Sequence, residues 1–261
     1  MKIPFLDQSD PLRVIGYKAD QEGIMSRYLR EKNNWQEHLQ KSSDYITRFC
    51  AQIPADSTLA ILGSGWLLDL PLDFLLNKFK LIYMVDICHP LQVRHRLRDA
   101  TNVVFIEKDL TGYAADVAKI VKKSKQVDIL DSLLNLNYVN VLSGMQYDAI
   151  LSANLLTQLD SILCDFMTSK KYFSNGQLIN FQKKLQLDHL NLLSTKPSCL
   201  ISDVKEIFTY RNNSIAFATD SLKVEWPVGT HSENWNWIFD SNYSYHPRYK
   251  TILSVKAEML F

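Results

Sequence analysis

The chain has 261 residues, of which 46% are hydrophobic and 22% are charged, which is ordinary for one globular α/β domain with a small appended region. A chain of this length can bury most of its apolar surface without metals or disulfides. The formal net charge of +1 argues against a strong electrostatic footprint for duplex nucleic acid.

Residues 1–30 are predicted to form a loop and a short helix, and a strong helix is predicted to follow. Asn34, with Glu37 three residues later, resembles a capping box and predicts that the helix begins there. An apolar stripe at helical spacing follows. We therefore expect residues 1–54 to form a helical cap on a domain that spans residues 55–261.

Apolar runs and amphipathic stretches alternate from about residue 55 to about residue 210. Strands are predicted at 58–62, 81–85, 103–107, 148–152 and 199–204, and helices at 72–79, 91–98, 114–123, 155–166 and 176–194. Asp69 is expected to cap the first of these helices. Such alternation predicts a parallel sheet with right-handed crossovers.

The last part of the chain changes character. Residues 222–228, 235–240 and 251–259 have the composition of strands, and no long helix separates them. This pattern predicts antiparallel strands that extend the sheet at one edge.

The stretch from Leu59 to Asp86 is the most informative part of the chain. An apolar run stops at Gly63-Ser64-Gly65, an amphipathic helix follows, and a second apolar run ends on Asp86. Glycine allows the backbone to approach a ligand closely, and the next helix offers unpaired N–H groups. A carboxylate roughly 20 residues further on can bind both hydroxyls of a ribose. The layout therefore predicts half of a nucleotide-cofactor site.

Two classes of cofactor fit this layout, and two details separate them. A dinucleotide usually needs a third glycine, where this chain has Leu68, and a helix that begins earlier than Pro71. S-adenosylmethionine has no phosphate and needs only a close turn and a ribose carboxylate. A nicotinamide-dependent oxidoreductase is therefore the weaker alternative.

Residues 35–205 resemble the class I S-adenosylmethionine-dependent methyltransferases. LAILGSG, YMVDI, VVFIEKDLTG and YDAILSANLLTQLD are similar to the first four motifs of that family and follow in the family's order. The resemblance implies a Rossmann-like, doubly wound, mostly parallel sheet with an antiparallel C-terminal edge strand and a helical N-terminal cap. It also implies S-adenosylmethionine as the cofactor.

The resemblance assigns the methionine and ribose parts of the cofactor to the first two motifs. Gly63, Ser64 and Gly65 are expected to wrap the methionine part. Asp86 is expected to hold the ribose, with Ile87 close to the adenine.

The resemblance assigns the adenine and the sulfonium to the third and fourth motifs. Asp109 and Leu110 are expected to flank the adenine ring. Ser152, Ala153 and Asn154 are expected to line the floor of the site near the sulfonium.

The chain departs from the family pattern at the first motif. Ile61 stands where the family usually has a carboxylate, and Leu67 stands where its third glycine would be. Asp69 is expected to substitute for the missing carboxylate from the other side of the turn. Because of these departures, the prediction that the chain binds the cofactor ranks above the prediction that it is catalytic. A non-catalytic binding module is the alternative.

Methyl transfer depends mostly on the alignment of the acceptor with the methyl group, and it needs a base only if the nucleophile is protonated. Three side chains are candidates for a catalytic role in this reaction. Asn154 either orients the nucleophile or caps the next helix. His189 either acts as a base or packs within the fold, and Tyr172 either closes over the substrate or is half-buried.

Two further regions are candidates for ligand contact. Trp35 and His38 lie on the N-terminal helix, which in this fold class often covers the cofactor. The aromatic segment 226–249 forms either a substrate wall or a packed strand edge.

The remaining expectations concern location and partners. The four cysteines are far apart, the N-terminus lacks an unbroken apolar stretch, and no apolar run is long enough to span a bilayer. We expect a cytoplasmic protein without a membrane partner or a metal site. Its unidentified methyl acceptor is expected to be a small molecule or a peptide.

Overall fold

The computed structural model describes residues 15–123, 126–169, 173 and 175–261, and shows seven α-helices, the short 3-10 helix Asn175–Leu178 and one eight-stranded sheet in these residues. The helices are α1 Tyr17–Gln52, α2 Leu72–Lys78, α3 Leu91–Arg96, α4 Ala114–Lys123, α5 Gln126–Leu134, α6 Gln158–Ser169 and α7 Ile179–Leu193. The strands are β1 Thr58–Leu62, β2 Leu81–Asp86, β3 Val103–Glu107, β4 Ala149–Ala153, β5 Ser198–Thr209, β6 Ile215–Asp220, β7 Thr230–Asp240 and β8 Lys250–Leu260.

The sheet has the strand order β3-β2-β1-β4-β5-β8-β7, and β6 pairs with β5 outside this path. The pairs among β1 to β5 are parallel, whereas β6, β7 and β8 pair antiparallel. The predicted α/β class, with a mostly parallel sheet and an antiparallel edge, is confirmed. The last strand lies one position inside that edge, because β7 pairs with its outer side.

The core lies on both faces of the sheet because neighbouring side chains of a strand point in opposite directions. Leu59 and Ile61 of β1 belong to a hydrophobic cluster that includes α1 and α2. Ala60 and Leu62 belong to another cluster, which includes α6 and α7. β1 is buried on both faces, and such strands have continuous apolar sequences, which explains why the bounds of β1 were predicted correctly.

The N-terminal helix starts earlier than the capping-box pattern predicts. It begins at Tyr17 and continues through Asn34, whose side chain donates to Glu31 Oε2 at 2.6 Å and to Ser241 Oγ at 3.1 Å. Glu37 forms an exposed ion pair with Lys41. Two helical segments meet at a kink at Glu31, so the predicted boundary at Asn34 lies three residues too late. The predicted capping box does not form, because Asn34 makes tertiary contacts from within the helix.

Glu31 anchors the N-terminal helix to the connection between β7 and β8. Its carboxylate accepts hydrogen bonds from the backbone and side chains of Ser241 and Asn242 and from the side chain of Asn34. Burial alone would raise the pKa of this carboxyl, but these donors hold the pKa below its ordinary value. The helix backbone also departs from helical geometry here, at φ −106° and ψ 16°.

Replacing this anchor is expected to destabilise the fold. Glu31 is 1% exposed, so no water can separate its side chain from the groups around it. In Glu31→Gln, the new NH₂ group would face the hydrogen-bond donors that now donate to the carboxylate. We expect the free energy of unfolding to fall by about 2 kcal/mol, measured by urea denaturation. Glu22→Gln on the exposed side of the same helix is the matched control, and an equal loss there would contradict this role.

Other sequence-based predictions also differ from the structure. Asp69 does not cap α2, because Pro71 occupies the N-cap position without a side-chain cap. Residues 222–228 are not a strand, whereas β6, which was not predicted, pairs with the C-terminal half of β5. None of the helices within the described parts of the chain is both long and apolar enough to cross a membrane.

Candidate functional site

The candidate site is a cavity at the carboxyl ends of β1 and β4. The connection from β1 leads towards β2 on one side, and the connection from β4 leads towards β5 on the other. Ligands of open α/β sheets bind in the crevice at such a switch point. The space between the atoms here is about 1000 Å³, including the part that is open to solvent.

The turn after β1 forms the floor of this cavity. Gly63 and Gly65 have φ angles of 69° and 47°, in the left-handed region that favours glycine. The Gly63 N–H donates to Val85 O at 2.9 Å, which ties the turn to the end of β2. A Cβ atom at Gly63 would lie 3.0 Å from the side chain of Leu155, another residue that lines the cavity. The turn therefore requires a residue without a side chain at position 63.

Asp86 lies at the end of β2, opposite the glycine turn. Its Oδ2 accepts from Gly65 N and its Oδ1 from Ile87 N, both at 2.6 Å. Burial raises the pKa of Asp86 to about 6, although these backbone donors act in the opposite direction. Oδ1 also accepts from Gln21 Nε2 at 3.3 Å, so a ligand in the cavity would use the second lone pair of Oδ2 and could bind Oδ1 as well only by displacing the Gln21 amide.

Asp109 follows β3 and has a structural role. Its two oxygens accept from Thr111 N, Thr111 Oγ1 and Ala114 N at 2.7 to 2.9 Å, which caps the start of α4. Leu110 lines the cavity beside it, and so does Tyr17, whose buried hydroxyl has no hydrogen-bond partner. This end of the cavity therefore combines an apolar wall with polar atoms.

The first turns of α1 form a cover over the same end. Trp66 Nε1 donates to Gln21 O at 2.8 Å, and Gln21 Nε2 donates to Asp86 Oδ1 at 3.3 Å. The helix thus contacts both the glycine turn and the acidic strand end. The expectation that the N-terminal helix covers the site is consistent with these contacts.

The other end of the cavity contains Asn154, which follows β4. Its φ of 53° is a left-handed conformation that asparagine tolerates better than most residues. Its Nδ2 lies 2.9 Å from Asp69 Oδ2 and 3.2 Å from His38 Nε2, whereas its Oδ1 is buried without a partner. His38 stacks on Trp237 with ring centres 3.8 Å apart.

Most of the residues predicted to bind the cofactor line this one cavity. They are Gly63, Ser64, Gly65, Asp86, Ile87, Asp109, Leu110 and Ala153, joined by Asn154 from the catalytic candidates. The structure thus brings together the ends of four strands that are separated by up to about 90 residues in the chain.

Two predicted residues do not line the cavity. Ser152 Oγ and His189 Nε2 lie 2.9 Å apart in the core behind it. Neighbouring residues of β4 point to opposite faces, so Ser152 points away from its neighbours in the motif. Burial lowers the pKa of His189 to about 4, so the ring is neutral at pH 7. His189 does not line the cavity. Tyr172 lies outside the described residues.

Sequence reasoning missed several lining residues. Tyr17, Asp20 and Gln21 precede the predicted helix start, and no local pattern marks them as ligand contacts. Trp66 directly follows the glycine turn, and that position is the one signal that could have identified it. Trp237 belongs to the aromatic segment that was expected to form either a wall or a strand edge.

The charged side chains that line the cavity are acidic. Asp20, Asp69, Asp86 and Asp109 contribute carboxyl groups, and the described lining residues include no lysine or arginine. Burial raises the pKa values of Asp20 and Asp69 as well as that of Asp86. A cationic ligand would stabilise the ionised forms of Asp20 and Asp86, and an anionic ligand would disfavour them.

No protein-family model and no curated protein matches this chain significantly. Within the described residues, no group of three or more His, Cys, Asp or Glu side chains is arranged to hold a metal ion. The chemistry of the cavity therefore carries the functional argument.

Proposed function

We propose that this chain binds S-adenosylmethionine in the cavity and transfers its methyl group to an acceptor. The observation that carries the proposal is the pairing of the glycine turn with Asp86, joined by the 2.6 Å hydrogen bond from Gly65 N. This pairing supplies a close backbone approach and a ribose acceptor in one place.

The charge of the cavity favours this cofactor over a dinucleotide. S-adenosylmethionine carries a sulfonium and has no phosphate, so the acidic lining would attract it. The pyrophosphate of a dinucleotide would lie beside Asp86 and Asp20 without a described lysine or arginine to neutralise it. A nicotinamide-dependent oxidoreductase therefore remains the weaker proposal.

Each part of the cavity has a role in the proposed reaction. Asp86 would hold the ribose hydroxyls, while Ile87 and Leu110 would enclose the adenine. Bound S-adenosylmethionine would supply an electrophilic methyl group on a good leaving group, so the protein has mainly to align the acceptor and exclude water. Ala153 and Asn154 lie where the acceptor would approach.

Burial lowers the pKa of His38, the histidine that lines the cavity, to about 3, and its ring is held between Trp235 and Asn154. This group is a poor general base at neutral pH. The observation favours an acceptor that needs no base, and it also keeps a non-catalytic binding module as the second candidate. In that case a protein partner would remain bound to Asp86→Ala although the cofactor would not.

Calorimetry tests the proposal directly. S-adenosylmethionine and S-adenosylhomocysteine are titrated separately into the full chain, with NADH as the dinucleotide comparison. We expect both adenosyl compounds to bind and NADH to give no heat of binding. Binding of NADH without either adenosyl compound would overturn the proposed cofactor.

The affinity for the cofactor is expected to fall in mild acid. Asp86 has a pKa of about 6 in the ligand-free fold, so protonation near this pH removes the charge and the acceptor capacity that a ligand would use. Between about pH 7 and about pH 5, we expect an affinity loss of about tenfold, measured by calorimetry. In Asp86→Asn, the residual affinity is expected to vary less over the same interval.

The stability of the ligand-free protein should respond to pH with the opposite sign. The folded pKa of Asp86 is raised, so its contribution to stability is complete below the ordinary pKa and is lost as the pH rises through about 6. The wild type should therefore gain stability relative to Asp86→Asn as the pH is lowered from about 7 to about 5, by about 1 kcal/mol.

A further inference from the structure

The protonation of His38 is determined by its neighbours. Trp235 Nε1 lies 3.0 Å from His38 Nδ1, and an indole N–H can only donate, so Nδ1 must accept. His38 is 1% exposed, and its hydrogen-bond partners among the described residues are Trp235 and Asn154, neither of which is a carboxylate, so its ring is neutral and carries one hydrogen. That hydrogen must therefore be on Nε2.

The hydrogen on His38 Nε2 determines the orientation of the Asn154 amide. The end of the amide that lies 3.2 Å from Nε2 must accept a hydrogen bond, so it is the oxygen, and the amide is turned by half a rotation about χ2. The same end lies 2.9 Å from Asp69 Oδ2. Two oxygens at this distance need a hydrogen between them, so the Asp69 carboxyl is protonated.

This arrangement leaves two hydrogen-bond donors without partners. The amide nitrogen of Asn154 then occupies the buried position that has no hydrogen-bond partner. Trp237 Nε1 is also buried without a partner, and this ring stacks directly on His38. Trp237 is 5% exposed, and both residues line the cavity. A buried donor without an acceptor is unfavourable, and a ligand atom would satisfy it.

We propose that the end of the cavity formed by Trp237, Asn154 and Asp69 binds a carbonyl or carboxylate oxygen of the methyl acceptor. The two free N–H groups donate to that oxygen, and the protonated Asp69 does not repel it. The inference rests on the proposed function for the identity of the ligand. It assigns the oxygen to the acceptor because Asn154 follows the end of β4, where the acceptor is proposed to approach.

The first test concerns the tautomer and needs no ligand. In protein labelled with ¹⁵N at histidine, long-range proton–nitrogen spectra distinguish a protonated ring nitrogen from an unprotonated one, and His38→Gln assigns the signals. We expect a protonated Nε2 and an unprotonated Nδ1. In Trp235→Phe, which removes the donor to Nδ1, this preference should weaken. A protonated Nδ1 in the wild type would overturn the inference.

The second test uses the indole N–H signal of Trp237 to detect binding. The chain has five tryptophans, and Trp237→Phe assigns the signal. Benzoate and acetophenone serve as oxygen probes, and benzylamine serves as a probe that can only donate. We expect at least one oxygen probe to shift the Trp237 signal and benzylamine to leave it unchanged. A shift with benzylamine alone, or none with either oxygen probe, would overturn the inference.

The affinity of the effective probe supplies a matched comparison. Trp237→Phe, which keeps an aromatic ring on His38 but removes the N–H, should weaken binding by about tenfold in ligand-observed spectra. Trp226→Phe should leave it unchanged, because the Trp226 indole donates to Glu258 Oε2 at 3.2 Å outside the cavity. Equal losses in both variants would contradict the assigned site.

The source of the oxygen is tested with the cofactor itself. If the methyl acceptor supplies it, S-adenosylmethionine should leave the Trp237 signal available to the oxygen probe. A shift caused by S-adenosylmethionine but not by its decarboxylated analogue would assign the site to the carboxylate of the cofactor and overturn the proposal. Failure of S-adenosylmethionine to bind in calorimetry would instead contradict the proposed function, whatever the probes do.

Discussion

Asp86→Ala is expected to lower the affinity for S-adenosylmethionine by about 100-fold, because it removes two charge-assisted hydrogen bonds that together contribute about 3 kcal/mol. Asp86 is 4% exposed, and its oxygens already accept from the turn and from its own strand end. The substitution therefore also releases Gly65 from the position that allows close approach. Isothermal titration of wild type and variant measures the change.

Glu107→Ala is the matched control for this experiment. Glu107 pairs with Asp86 in the register of β2 and β3, but it forms a half-exposed ion pair with Arg94 and does not line the cavity. Its removal should leave the affinity within about twofold of wild type, as expected for a surface ion pair. Equal losses in the two variants would show that general acidity, and not the position of Asp86, attracts the ligand.

Gly63→Ala is expected to abolish binding at cofactor concentrations that saturate the wild type. The new Cβ would lie 3.0 Å from Leu155 Cδ1, and Leu155 would have to move towards the cavity that it lines. The φ of 69° would add backbone strain for alanine. We expect the free energy of unfolding to fall by about 2 kcal/mol, measured in urea.

Gly144→Ala is the matched control, because it introduces the same kind of backbone strain as Gly63→Ala without a steric clash. Gly144 has a φ of 82°, but a Cβ there would meet nothing within 4 Å. This control should lose about 1 kcal/mol of stability and keep its full affinity for the cofactor. If it lost affinity as well, the effect at Gly63 could not be assigned to the floor of the cavity.

The elements that were predicted well are those whose pattern depends on neighbours in the chain. The bounds of β1 and β3 agree because each strand is a short apolar run between polar turns. The start of α1 and the position of β6 were missed for the opposite reason. Glu31 holds its helix to residues more than 200 positions away, and β6 is an exposed hairpin strand without a buried run.

The candidate site shows the same division. The glycine turn and Asp86 were predicted together because they belong to one strand, helix and strand unit. The motif order also placed Asn154 correctly at the end of β4. His189 was predicted either to act as a base or to pack within the fold, because a helical pattern does not tell which of several neighbouring surfaces a residue contacts. Its ring packs behind the cavity against Ser152.

The sequence by itself determined the alternation of strands and helices, the glycine turn at residues 63–65, and the position of Asp86 at the end of the next strand. Each of these depends on interactions between near neighbours in the chain. The tertiary structure alone decided the acidic lining and the contacts of Trp235, His38 and Asn154, which are separated by more than 80 residues in the chain. The physical reason is that hydrogen bonds and desolvation act over a few ångströms in space. The protonation of His38, and thus the character of the site around it, depends on which distant residues the fold brings within that range.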